Sequence, residues 1–152
     1  MLADTASSWQ CVKDNLTGLI WEVKTADKAL HDGQQTYSWY NTDTNTNGGF
    51  IGEEKVTNTQ AFMKSVNQAA LCGFSDWRLP TRQELESIID YGQTSLTIDS
   101  KIFINIQAKP YWTSVTVSSS PTSAWAINMA DASDGQHYKG NMHHVMLVRG
   151  GQ

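Results

Sequence analysis

The stretch LPTRQELESIIDYG, from Leu79 to Gly92, does most to limit what this chain can fold into. Thr81 and Glu84 stand in the capping-box arrangement, in which a hydroxyl and a carboxylate each accept from an otherwise orphaned N–H at a helix start. Leu85, Ile88 and Ile89 fall on one helical face, and Gly92 is a stop signal. The sequence therefore predicts a helix beginning just after Pro80. A second helix is predicted in TNTQAFMKSVNQAALCG, where Phe62, Val66, Ala69 and Ala70 share a face and Gly73 ends the run.

Away from these helices the period changes. CVKDNLTGLIWEVK reads as a turn at Asp14-Asn15 and then a strand from Leu19 to Val23. TYSWY is a second short extended segment. YWTSVTV, AWAINMA and HHVMLVRGG read as strands, separated by the loops SSSPTS and DASDGQ. The Ser118 to Ser123 stretch is short enough for a hairpin loop and does not suggest a domain linker. Strands, two helices, then strands again is an α+β order, unlike the alternation of βαβ units. A length of 152 residues favours one domain, expected over 9–152, with 1–8 a linker start or disordered.

Charge is low at 17% and polarity rests on Ser, Thr, Asn and Gln. The net charge of −4 gives no general attraction for nucleic acid or anionic membranes, so neither is an expected partner. No apolar run is long enough to span a bilayer, and MLADTASS lacks the apolar core of a signal peptide. The cysteines Cys11 and Cys72 have no neighbours at metal-ligand spacing. Two buried thiols and one disulfide both remain open; the low charge leans towards an exported, oxidised chain.

The loop NTDTNTNGGFIGEE raises a metal question. Asp43, Asn45 and Asn47 alternate, Gly48 follows, Gly49 offers a carbonyl, and Glu54 closes a twelve-residue calcium-loop pattern. Against it, only one of the first three ligands is charged and no helix precedes it. The expectation is a polar surface loop and no cofactor, with calcium as the alternative.

No catalytic motif is present. His143 and His144, adjacent on a strand, face opposite sides and make at most a weak site with His137. Glu53-Glu54 and the pair Asp131 and Asp134 imitate glycosidase carboxylates but read as solvated turns. The expectation is a non-enzyme.

CVKDNLTGLIWE, LCGFSDWRLPTRQELESIID and VMLVRGGQ, with YWTS and AWAINM, together resemble the C-terminal domain family of the Legionella collagen-like adhesin. The resemblance runs from Trp9 to Gln152. It implies a variant of the C-type lectin-like fold, with two helices, a curled antiparallel sheet, long loops and neighbouring termini. It also implies export to the cell surface, a Cys11–Cys72 bridge, a homotrimer on a stalk, and binding of host or environmental glycans, sulfated ones included. A sulfated glycosaminoglycan would need a basic cluster drawn from Lys101, Lys109, Lys139 and Arg149. The same fold serves as a protein-binding display domain or a trimerising cap, and these are the rival readings. Formylglycine-generating enzymes share the broader fold but use late paired cysteines, and this chain has none after Cys72. Within SDWRLPT, Trp77 is expected to plug the core, and Asp76 and Arg78 to tie loops through hydrogen bonds and an ion pair.

Overall fold

The computed structural model describes residues 9–151; the linker expected at 1–8 and the last residue, Gln152, lie outside the described residues. Eight elements follow in chain order: β1 (Cys11–Lys13), β2 (Ile20–Glu22), α1 (Thr59–Gln68), α2 (Arg82–Ser87), β3 (Pro110–Val117), β4 (Ser120–Asn128), β5 (Asp134–Tyr138) and β6 (Val148–Arg149). The α+β class and the two helices are as expected. The strands divide between two three-stranded antiparallel sheets, β1-β2-β6 and β3-β4-β5, where one curled sheet was expected. β1 and β6 flank β2, so both ends of the described chain meet in one sheet.

The run Val145, Met146, Leu147 and Val148 explains how the halves join. All four residues have no exposed surface. Val145 and Leu147 enter one core cluster, with Trp39, Phe62, Val66, Trp77 and Trp112. Met146 and Val148 enter the other, with Trp21, Leu85, Ile98, Tyr111 and Ile127. Alternate side chains of an extended segment point to opposite faces, so a continuous apolar run marks a strand buried on both sides. Tyr111 and Trp112 divide between the same two clusters. α1 covers the first cluster through Phe62 and Val66, and α2 reaches the second through Leu85.

Glu22 crosses this arrangement with a fully buried carboxylate. Its Oε1 accepts from Lys24 Nζ at 2.8 Å and from His31 Nδ1 at 2.7 Å, and its Oε2 accepts from the Leu147 backbone N–H at 2.9 Å. Glu22 and Lys24 are two apart in extended chain and so point the same way. Burial, the largest influence, pushes the carboxyl up, but the Lys24 charge and the His31 and Lys24 hydrogen bonds outweigh it and hold it below 4.5.

Both helices end earlier than the sequence predicts. α1 stops at Gln68, because Ala70 and Cys72 take left-handed conformations before Gly73. That turn delivers Cys72 to Cys11, and the two form a disulfide that closes a separation of 61 residues. α2 begins with the expected capping box of Thr81 and Glu84 but ends at Ser87, not at Gly92. The chain leaves the helix so that Asp90 N–H reaches the Thr97 carbonyl, and Thr97 N–H that of Met129. The β3–β4 hairpin is tighter than expected, with Val117 opposite Ser120. β5 was not expected, since its DGQHY alternates exposed residues with half-buried Gly135 and His137 and gives no apolar period. The extended segment TYSWY forms isolated bridges instead of a strand, at Tyr37, Ser38 and Tyr40.

Glu22→Gln is expected to destabilise the domain by about 3–5 kcal/mol, because Lys24 is left as an unpaired buried charge. Glu22 releases its proton more readily folded than unfolded. Its stabilisation is therefore complete above its ordinary value of 4.5 and is lost as pH falls through the lower folded value. Denaturant melts across acid pH should show this loss, and Glu22→Gln should flatten that part of the profile.

In the signature, Trp77→Ala is expected to cost about 3–5 kcal/mol through a cavity, and Thr81→Ala about 1 kcal/mol through the lost cap. An unmoved melting curve for Trp77→Ala would remove the structural role given to this residue.

Candidate functional site

The SDWRLPT signature is a junction. Asn67, on the last turn of α1, clamps the Trp77 backbone from both sides: its Oδ1 accepts from Trp77 N–H at 2.8 Å and its Nδ2 donates to Trp77 C=O at 2.9 Å. The Trp77 ring is buried, and its indole N–H donates to the Leu71 carbonyl. The Arg78 backbone pairs with Val148 in both directions at 2.9 Å. Asp76 and Arg78 do not pair with each other. Arg78 meets Glu84 through two parallel bonds of 2.7 and 2.8 Å and also donates to the Gly150 carbonyl. Asp76 takes Arg149 at 2.6 and 2.9 Å.

This pairing corrects the basic cluster expected from the sequence. Arg149 is engaged by Asp76 and lies over the Phe74 ring, its guanidinium carbon 3.8 Å from the centroid. Lys139 has no exposed surface at all. Its Nζ donates to the carbonyls of Asn47 at 3.0 Å and Phe50 at 2.7 Å and sits 3.9 Å above the Trp39 ring. Only Lys101 and Lys109 of the four are exposed. A basic residue two positions past a histidine on an edge strand carries no sequence mark of burial, so the sequence reading missed this.

The polar loop is organised by its own groups. Asp43 accepts from Asn45 N–H, Asn45 Nδ2 and the Thr46 hydroxyl. The Asn45 N–H, then the Thr46 hydroxyl, hold its carboxyl below the usual range. Asn47 is buried, accepts from Gly49 N–H through its side chain, and its carbonyl also takes the Thr116 hydroxyl. Gly48 packs so closely there that a Cβ would lie 2.6 Å from Thr116, and its φ is +67°. Glu54 is exposed and among the described residues meets only the Tyr40 hydroxyl, at 3.4 Å. Thr42 reaches Gln60 on α1 with both its N–H and its hydroxyl.

Loop and signature face each other across an open groove of about 580 Å³. Trp39, Met63 and Leu79 give it an apolar floor. Tyr40, Asn41, Asp43 and Thr46 of the loop line it, together with Arg78, Thr81 and Glu84 of the signature and its helix, and Ser114 of β3. The half-buried Tyr40 and Asn41 carry no sequence signal of their own beyond belonging to an aromatic-then-polar boundary.

The remaining candidates are occupied elsewhere. His137 and His143 meet directly, with 2.9 Å between Nδ1 and Nε2, and both edge onto Trp112. Burial, with His137 and His144 nearby, pushes His143 down to about 4. His144 points the other way and stacks on Tyr111. Glu53 accepts from the Tyr138 hydroxyl, Asp131 from Ser133, and Asp134 pairs with Arg82. Trp125 on β4 is half-buried, under the Arg82 guanidinium at 4.4 Å. No helix among the described residues is long and apolar enough to cross a membrane.

No curated protein matches the chain. A family model described as the Lcl C-terminal domain matches residues 10–149, which takes in the disulfide, the signature, both helices and both sheets. The chain belongs to the Lcl C-terminal domain family, an adhesin-type surface domain.

Proposed function

We propose that this domain is a non-enzymatic, extracellular recognition module that holds a glycan in the groove between the 40–46 loop and the signature. The observation carrying this reading is the groove itself, an apolar floor under a rim of hydroxyl, amide and carboxylate groups. Saccharides present the same mixture, a C–H face and a ring of hydroxyls, and sites for small ligands combine apolar walls with a few placed polar groups. The Cys11–Cys72 bridge supports an oxidising location. A trimer, as the family resemblance implies, would raise the avidity of a weak site.

The carboxylates of the groove argue against glycoside hydrolysis as its task. That chemistry needs one carboxylic acid held protonated near neutral pH. Glu84 is kept ionised: burial pushes it up, but the Arg78 and Thr81 bonds bring it below its ordinary value. Asp43 is likewise lowered.

The domain should bind immobilised polysaccharide and release no reducing ends on prolonged incubation. Tyr40→Ala should weaken binding roughly tenfold, a loss of about 1.4 kcal/mol, with the melting temperature preserved. Release of reducing ends, or binding unmoved by Tyr40→Ala, would count against the groove. A sulfated ligand on Lys101 and Lys109 would instead show binding that falls steeply with salt, since exposed charges are screened within about 8 Å at physiological ionic strength.

A further inference from the structure

The charges of the groove are nearly all spent inside the protein, and this determines what it can recognise. Both terminal nitrogens of Arg78 are committed to Glu84 and Gly150, so this guanidinium has no fork left for a sulfate or carboxylate. Glu84 is neutralised by the same pair and also accepts from Thr81 N–H. Asp43 is the charge that remains, and it is negative. A carboxylate has about four acceptor sites, and Asp43 uses three of them within the loop, which leaves one for a hydroxyl donor. Asn41 accepts from Asp43 N–H and donates one amide hydrogen to Thr46, keeping its second donor. Tyr40 and Met63 supply apolar surface beside these groups.

The loop that carries Asp43 has the form of a calcium loop, and a cation does hold it. That cation is the Lys139 ammonium, which reaches across from the end of β5 to the carbonyls of Asn47 and Phe50. Burial lowers Lys139 to about 8, so the charge is present at neutral pH. The Trp39 face and the two carbonyls are the partners that such a buried charge needs. The calcium pattern would use the Gly49 carbonyl, which lies in the chain between these two, and a divalent ion drawn there would be repelled by this ammonium.

We propose that the groove takes an uncharged saccharide, and that it does so without a metal ion, because Lys139 already closes the loop that presents Asn41, Asp43 and Thr46. This deepens the glycan reading above and rests on it. Asp43 receives and Asn41 donates hydrogen bonds to sugar hydroxyls, Ser114 of the same lining adds a hydroxyl from outside the loop, and a sugar face lies against Tyr40.

The test is amide NMR titration of the domain with neutral α- and β-linked hexose oligosaccharides and, separately, with a heparin oligosaccharide. Each is run in chelator and in calcium, at low and at high salt. A neutral oligosaccharide should shift the amides of Asn41, Asp43, Thr46 and Ser114, with affinities equal within about twofold in all conditions. Asp43→Ala and Ser114→Ala should each weaken it roughly tenfold; Ser114 lies outside the loop, so its variant tests the groove even if Asp43→Ala disturbs the loop. Binding that requires calcium would overturn the role given to Lys139. Heparin binding without any response to neutral sugar would overturn the uncharged-ligand inference and leave the glycan reading standing. No shift with either class would remove both.

Discussion

The carboxylate of Glu22 is the contact on which the two halves of this domain depend. It is fully buried, yet it serves three partners from different parts of the chain: Lys24 just past the end of β2, His31 in the following loop, and the Leu147 N–H in the segment between the cores. A buried ion group adds little net stability against an apolar alternative, but removing one member is costly. Its effect is geometric. It sets β2 against the 145–148 segment, and that segment sends its side chains alternately into both clusters.

The signature plays the corresponding part on the other side of the same segment. Asn67 holds Trp77, Arg78 bonds Val148 through its backbone, and the Arg78–Glu84 fork ties the junction to the start of α2. Glu84 therefore does two things with one carboxylate, capping the helix and neutralising the arginine. Asp76 neutralises Arg149 but caps no helix. These pairings take two basic groups out of reach of an anionic ligand, and Lys139 is taken out by burial. The groove is what remains available: apolar below, polar at the rim, with its ion pair closed.

Much of the domain was legible in the residues. The capping box at Thr81 and Glu84, the helix spacing of Phe62 and Val66, and the strand character of YWTSVTV and AWAINMA rest on local rules and on side-chain period, and all appear in the structure. The signature marked Trp77 as a core residue for the same reason, since an aromatic beside a helix cap has little room to be anything else. The polar loop was legible as a loop, because Asn, Gly and Thr favour turns wherever they sit.

What the sequence could not decide is which charges meet. Asp76 is 73 residues from Arg149, Lys139 is 92 from Asn47, and Glu22 is 125 from Leu147. Nothing in spacing or composition selects these pairs, because the partner a charge takes, whether an opposite charge or a backbone group, is fixed by where folded segments come together and not by the residues on either side of it. The same holds for the helix ends: α2 stops at Ser87 because the chain beyond it bonds to the Thr97 and Met129 carbonyls, a choice made by the β4 side of the core. Sequence period thus determined the elements and their buried faces, through short-range geometry. Tertiary structure decided which basic groups are spent and which polar ones face the groove, because desolvation makes every buried charge take its partner from whatever the packing places beside it.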